Sequence, residues 1–475
     1  MRSPERDAVR HSWSESDRFV PRAFVQPARR FMAMGASGGV VMVVAAIVAL
    51  AWANSPFHGS YQALWDTRFD IALGNVAHVD LTLREWVNDA AMAIFFFVVG
   101  LEIKRELVTG QLRDRRAAAL PAVAAVGGMV VPALVFLAFN AGHAGARGWG
   151  IPMATDIAFA AGVVALLGRR VPSGAKLFLL TLAIVDDLGA IVVIAVFYTA
   201  DVSLGWLVAA AATLVVATAL RRLDIRSLLP YTALAVTCWL ALHESGVHAT
   251  LAGVAFGLLT PVWSFYDPAR FGARARAVVE EIEHTFADGV LDHDEYERND
   301  ARLRDLIHLS TETSSPLERL ERRLAPWVSF MVVPTFALAN AGVRLTGDTL
   351  TGALGNRVVL GVAVGLVVGK TVGIVATTWL ACRVGMGRLP AQTTWRHLFG
   401  LAVCAGIGFT VALFVAGLSF TDGALTDAAK VGILGGSLIA AVLGAAILRS
   451  APMSGGPDDD PTSVVAPEPV GTRSA

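Results

Sequence analysis

The sequence predicts an all-α, polytopic membrane protein with twelve transmembrane helices and a small external β-hairpin. Three observations lead there. Of the 475 residues, 55% are hydrophobic and 16% charged, against about 25% charged in soluble domains. The apolar residues collect in about twelve blocks of roughly 20 residues, the length that crosses about 30 Å of hydrocarbon. Basic residues are concentrated in alternate loops, as the positive-inside bias requires.

Residues 1–30 read as an arginine-rich cytoplasmic tail without a core. The apolar blocks begin near Phe31, Trp86, Ala117, Trp149, Gly174, Ser203, Arg226, Gly246, Trp327, Arg357, His397 and Ala428. The first is too long for the apolar region of a cleavable signal and is expected to remain as a span. Between the first two blocks, "FDIALGNVAHVDLTL" alternates apolar and polar residues around Gly74-Asn75, which predicts the hairpin. The basic loops (Lys104 to Arg116, Arg169 to Lys176, Arg221 to Arg226, Arg383 to Arg396) place both termini in the cytoplasm and make the number of spans even.

Residues 31–450 are therefore expected to form one membrane domain, interrupted at 264–316 by a charged cytoplasmic excursion. That excursion has helical apolar spacing at Val278, Val279, Ile282 and Phe286. Its "DHDEYERND" is a poor calcium loop, because no glycine stands at the turn. In the tenth block Gly361, Gly365, Gly369 and Gly373 recur every four residues, giving a face on which a second helix can pack closely. The three cysteines are scattered in or beside apolar blocks and make no disulfide framework. Residues 451–475, biased to Pro, Asp and Ser, read as a second disordered tail.

Charged side chains inside a bilayer cost several kcal/mol and are functional by default. The fifth block, "LAIVDDLGAIVVIAVFY", carries Asp186 and Asp187 side by side, and the tenth carries Lys370. Adjacent helical residues point about 100° apart, so one lysine cannot serve both aspartates equally. One aspartate pairs with Lys370; the other is left to face a cavity. Burial and a neighbouring negative charge both favour the protonated form of a carboxylate, and a bound monovalent cation relieves the same repulsion. Proton and cation then compete for one site.

Asp156 follows Gly148, Gly150 and Pro152 in the fourth block, and the eleventh has a matching weak point at Gly406 and Gly408 before Thr410. Paired interruptions in two halves predict broken helices at a midplane site, with spans three to five and ten to twelve as inverted repeats. Asp156 and Lys370 are suited to balance the exposed helix ends. Asp89, His248 and the group Glu102, Arg105 and Glu106 complete the inventory. Asp89 with Asn88 can cap or cross-link helices near the outer surface, His248 reads first as a satisfied histidine near a helix start, and for Glu102, Arg105 and Glu106 a solvated helix end competes evenly with a functional mouth.

Seven stretches in order, "EWVNDAAMAIFFFVVGLEIKREL", "ATDIAFAAGVVALLG", "LAIVDDLGAI", "SGVHATLAG", "FALANAGV", "VVGKTVGI" and "GIGFTVALF", closely resemble the NhaA-type sodium/proton antiporters, a family that itself exemplifies inverted repeats. The resemblance spans residues 31–450. It implies twelve helices, with the fourth and eleventh unwound and crossing. It also implies electrogenic exchange of Na⁺ or Li⁺ for a larger number of protons in the cytoplasmic membrane of a bacterium.

Carried onto this sequence, Asp187 matches the ion-binding and proton-carrying carboxylate, and Asp186 its neighbour paired with Lys370. Thr155 and Asp156 match residues of the unwound helix beside the site. Glu102, Arg105, Glu106 and Glu321 match a charged funnel that governs pH activation, and His248 matches a histidine tied to pH behaviour. The hairpin at Gly74-Asn75 matches the element that pairs subunits in a homodimer. The transported ions and the lipid bilayer are the remaining partners, with no cofactor and no nucleic acid. Three departures stand out: Arg322 and Ala325 where the family pattern has histidines, Glu318 where it has a base, and Thr371 where proline usually follows the lysine.

Other classes fit less well. A lipid phosphate enzyme needs spaced carboxylates and several basic groups near the interface, and a passive channel has no use for buried, competing titratable groups. A proton-coupled transporter of a small organic substrate on the same fold is the main alternative. It calls for more Asn, Gln and aromatic residues between spans than these blocks contain.

Overall fold

The computed structural model describes residues 37–73, 77–199, 202–225, 227–264, 266–285, 293–347, 352–353 and 355–452. The 1–30 tail, all but two residues of the 451–475 tail, and the Gly74-Asn75 tip lie outside the described residues. Helix α1 (Ser37–Ala53) bends by 117° into the short α2 (His58–Trp65). Strands β1 (Arg68–Leu73) and β2 (Ala77–Thr82) pair antiparallel, with Arg68 opposite Thr82 and Leu73 opposite Ala77. Thr82 then caps α3 (Leu83–Val108) through a reciprocal capping box with Glu85.

The remaining helices follow: α4 (Arg115–Asn140), α5 (Ala144–Met153, a 3₁₀ helix), α6 (Ile157–Leu166), α7 (Ser173–Phe197), α8 (Leu204–Arg222), α9 (Leu228–Glu244) and α10 (Leu251–Leu259). The excursion is a pair of helices packed on each other, α11 (Pro268–Thr285) and α12 (His293–Thr313). Val278 is buried there while Val279 is exposed, and Phe286 lies outside the described residues. Helix α13 runs continuously over 316–340. It is followed by α14 (Arg357–Arg383), α15 (Trp395–Cys404), α16 (Phe409–Ser419) and α17 (Gly423–Ser450).

Six of these helices, α3, α4, α7, α8, α14 and α17, are long and apolar enough to cross a membrane among the described residues. The count rises to nine if each bent pair is one span: α1 with α2, α5 with α6 (46°), and α15 with α16 (45°). The blocks beginning near Arg226 and Gly246 give helices of only 17 and 9 residues. The first half of α13 is charged at Glu318, Arg319, Glu321, Arg322 and Arg323. These three segments carry the difference between nine and the expected twelve.

The two breaks fall where glycine and proline weaken the helix. The leg α5 contains Gly148, Gly150 and Pro152 and adopts ten residues of 3₁₀ helix, which at about 2.0 Å per residue reaches about 20 Å. The second break, at 405–408, contains Gly406 and Gly408. Three helices also carry π turns without any break: Val87–Ala91 in α3, Val328–Val332 in α13 and Gly365–Gly369 in α14. Thr371, standing where the family pattern usually has proline, donates its hydroxyl to the Val367 carbonyl at 2.6 Å, just after the π turn Gly365–Gly369 of α14.

The glycine stripe of α14 packs against α4. Gly361 lies on Phe136 and Asn140, Gly365 on Pro132 and on Pro152 of α5, Gly369 on Pro132, and Gly373 on the Gly127 backbone. A side chain at Gly369 would place its Cβ 2.7 Å from the Pro132 Cα, a backbone atom held inside a helix. Gly369→Val is expected to cost about 1–3 kcal/mol and to lower the unfolding midpoint of the purified protein in detergent. Gly417→Val, where a Cβ meets nothing within 4 Å, is the control for helix propensity. Equal midpoints for the two variants would refute the packing argument.

Candidate functional site

The two chain breaks are stitched to each other. The Asp156 N–H donates to the Ile407 carbonyl at 2.6 Å, and the Thr155 hydroxyl donates to the Ala405 carbonyl at 2.8 Å. Asp156 is the N-cap of α6: its Oδ1 accepts from the Phe159 N–H at 3.0 Å. Its Oδ2 accepts from both the N–H (3.1 Å) and the hydroxyl (2.7 Å) of Thr410, in the first turn of α16. One carboxylate therefore satisfies the orphan donors, and faces the positive dipole ends, of two helices that start at the crossing. The Gly408 N–H is taken by Ser437 Oγ of α17 at 3.3 Å.

On the other side of the crossing stands Lys370. Its Nζ donates to Thr155 Oγ1 at 2.5 Å and to Asp186 Oδ2, and the Lys370 and Asp186 side chains are wholly buried. Thr155 thus accepts from the lysine while it donates to Ala405, which holds the ammonium against the carbonyl end of α15. Asp187 is buried on the next position of α7 and is not part of this pair. The charges that reach it are those of Asp186, Glu102, Asp156 and Lys370. Oδ1 of Asp186 and Oδ1 of Asp187 are both buried and accept no hydrogen bond among the described residues.

A second charged group lies at the far end of α3. Arg105 pairs with Glu321 of α13, and its other nitrogen lies 4.0 Å from Glu102 and 3.9 Å from Glu106. Glu106 also accepts from the Gln111 N–H at 2.9 Å. Arg322 and Glu318, one turn or less from Glu321, are exposed. The excursion is tied to the same helix, because Arg319 of α13 meets Glu312 of α12 at 3.4 Å.

His248 belongs to neither group. Its Nε2 lies 2.7 Å from the Tyr198 carbonyl, so that nitrogen carries the proton. Tyr198 OH in turn accepts from the Gly150 N–H at 3.1 Å and donates to the Arg147 carbonyl at 2.9 Å, which ties the histidine to the 3₁₀ leg α5. The structure therefore gathers Thr155, Asp156, Asp186, Asp187 and Lys370 around the crossing, and Glu102, Arg105, Glu106 and Glu321 at one end of α3. Ser437 and Tyr198 were missed in the sequence. Each is a single polar residue in an apolar block, a signal too common to single out.

Residues 29–448 match the family model described as Na⁺/H⁺ antiporter 1. The Na⁺/H⁺ antiporter NhaA 3 of Frankia alni is 45% identical over 445 residues, covering 93% of this chain and 93% of that protein. The antiporter NhaA 2 of Sorangium cellulosum is 44% identical over 445 residues, 94% of each chain. The antiporter NhaA of Rhodopirellula baltica is 45% identical over 428 residues, 90% of this chain and 94% of its own. With that likeness along almost its whole length, the chain belongs to the NhaA family of Na⁺/H⁺ antiporters, multi-pass bacterial membrane proteins that are transporters and not enzymes.

Proposed function

We propose that this protein exchanges cytoplasmic Na⁺ or Li⁺ for a larger number of external protons, with cation and proton alternating at Asp187 and Asp186. The observation that carries this reading is the pair of buried Oδ1 atoms that accept no hydrogen bond from described residues. A carboxylate oxygen in a low dielectric is costly to leave charged and unpartnered, and a hard monovalent cation or a proton relieves that cost. Occupation by one excludes the other, and that exclusion couples the two fluxes. Lys370 balances Asp186 while no cation is bound. Thr155 and Asp156 keep the crossing in place around it.

More protons than cations per cycle moves net positive charge inward, and each charge crossing an inside-negative potential of about 100 mV releases about 2.3 kcal/mol. In this reading α1, α3, α4, α5–α6, α7, α8, α9, α10, α13, α14, α15–α16 and α17 are twelve spans with both termini in the cytoplasm of a bacterial inner membrane. Spans three to five and ten to twelve are inverted repeats. The near-equal bends of 46° and 45° support that symmetry. Glu102, Arg105, Glu106 and Glu321 form the cytoplasmic mouth that responds to pH, His248 contributes from the opposite side, and the β1–β2 hairpin joins two copies into a homodimer.

The test uses everted vesicles from cells lacking their own antiporters, with the lumen acidified by respiration and followed by an acridine dye. NaCl and LiCl are expected to restore fluorescence between about pH 6.5 and 8.5, and Asp187→Asn to reduce the effect at least about tenfold. An Asp187→Asn protein that is inserted and still exchanges at the full rate would remove the assignment.

A second expectation concerns stability. Lys370→Met strands the Asp186 carboxylate in an apolar site and is expected to cost about 3–5 kcal/mol, most of it regained when Asp186→Asn is added. Thermal unfolding of both single variants and the double variant measures the cycle. Additive losses would show that the two groups do not depend on each other.

A further inference from the structure

Asp89 and His243 form a second polar pair inside the bundle, away from the aspartates. Asp89 lies in the π turn of α3, and its Oδ2 is 3.6 Å from Nδ1 of His243 near the end of α9, with both side chains about a quarter exposed (28% and 27%). A stack of rings fixes the histidine. His243 lies nearly parallel to Trp239 (5.7 Å, 14°), Trp239 is stacked on Trp86 (5.9 Å, 22°), and Trp86 meets Phe69 of β1 edge-on at 6.2 Å. The Trp86 N–H donates to the Phe69 carbonyl at 2.9 Å, and the Trp239 N–H donates to the Asp89 carbonyl at 3.3 Å, within the π turn. The residue before Asp89 is also engaged: Asn88 Oδ1 accepts from Asn340 of α13 at 2.7 Å.

The pair stands at the opposite end of α3 from Glu102 and Arg105. Glu102 lies thirteen positions after Asp89 on this helix, about 20 Å at roughly 1.5 Å per residue. In the exchange reading the arginine-rich loops at the Glu102 end are cytoplasmic, which puts Asp89 toward the outer side. Glu85 at the start of α3 and Glu244 beside His243 on α9 are the other charged groups whose fields reach the imidazole, and His248 on the α9–α10 connection is within the field of Asp89. The surroundings are thus acidic, with the two histidines as the groups that can gain or lose a positive charge.

We infer that His243 is a positioning residue of the outer mouth, which sets the charge of Asp89 with external pH and so sets how strongly external Na⁺ re-enters the exchange site. This rests on the exchange reading above. An imidazole gains or loses its proton within the physiological pH range, and a carboxylate 3.6 Å away favours the protonated form. With the proton on, the pair is neutral overall and does little to attract a cation. Once the proton is lost at higher pH, the Asp89 charge stands uncompensated and draws Na⁺ into the mouth, where it competes with the protons that must enter. Acid outside therefore favours release, and alkali outside favours product inhibition.

The experiment measures efflux of radioactive sodium from right-side-out vesicles bearing the full-length protein, and the external NaCl that halves it, at external pH 6 and 8. In His243→Gln the mouth stays negative at both values. Half-inhibition at pH 6 is expected to fall about threefold to tenfold relative to the unaltered protein, with little change at pH 8. In His243→Lys it is expected to rise at pH 8. In an Asp89→Asn background, His243→Gln is expected to make no difference. A merely structural role would slow efflux alike at both pH values and leave half-inhibition untouched. That result, or an effect confined to everted vesicles, overturns the inference. Absence of sodium efflux from the unaltered protein at any pH would instead overturn the exchange reading, and this inference with it.

Discussion

The structure depends on pairing Lys370 with Asp186 where neither side chain has any exposure. In a bilayer the desolvation of two such groups exceeds what their mutual attraction returns unless further dipoles are aimed at them. The broken helices supply those dipoles. Two helices that begin at the crossing present their N–H ends to Asp156. The helix that ends there presents the Ala405 carbonyl to Thr155, which accepts from Lys370 in turn. Two charges, Asp156 and Lys370, are thereby placed against helix ends of opposite sign, and Asp186 is placed against Lys370. Continuous helices through the same points would satisfy their own backbone groups and leave the charges with nothing but one another.

That requirement explains which features the sequence displayed openly. Gly148, Gly150, Pro152, Gly406 and Gly408 mark the breaks because a helix can be interrupted in hydrocarbon only where such residues weaken it and another chain takes up the freed groups. The glycine stripe of α14 was equally legible, since close helix approach in lipid needs small residues at that spacing. Asp186, Asp187 and Lys370 stood out because charge in an apolar block is rare. Helix geometry alone could say only that one aspartate would be left over; the family likeness chose Asp186 as the partner of the lysine.

Other features had no such mark. The π turns in α3, α13 and α14 fall on VNDAA, VSFMV and GLVVG, which show no common pattern. His243 was passed over because "LALHES" reads as the fraying end of a span, where a histidine needs no explanation. Its contact with Asp89 is made across more than 150 residues of chain, and no local pattern encodes a meeting of that kind. The same holds for Ser437, whose partner is the backbone of a break rather than a side chain.

The long-range contacts divide the bundle in a way that bears on transport. Helices α3 and α13 are joined at both ends, by Arg105 with Glu321 at one and by Asn88 with Asn340 at the other. Helix α10 is pressed onto α3 through Gly253 and Gly257 against the backbone of Ala93, Phe97 and Gly100. Helices α4 and α14 are locked together by Gly127, Pro132, Gly369 and Gly373. Each group is fixed within itself by backbone contacts or paired polar groups, which do not deform gradually. The aspartate helix α7 packs on both α3 and α4, so it lies where the two groups meet. Asp186 and Asp187 therefore stand at the seam between two internally fixed groups, and the Lys370–Thr155–Ala405 chain ties that seam to the crossing of the broken helices.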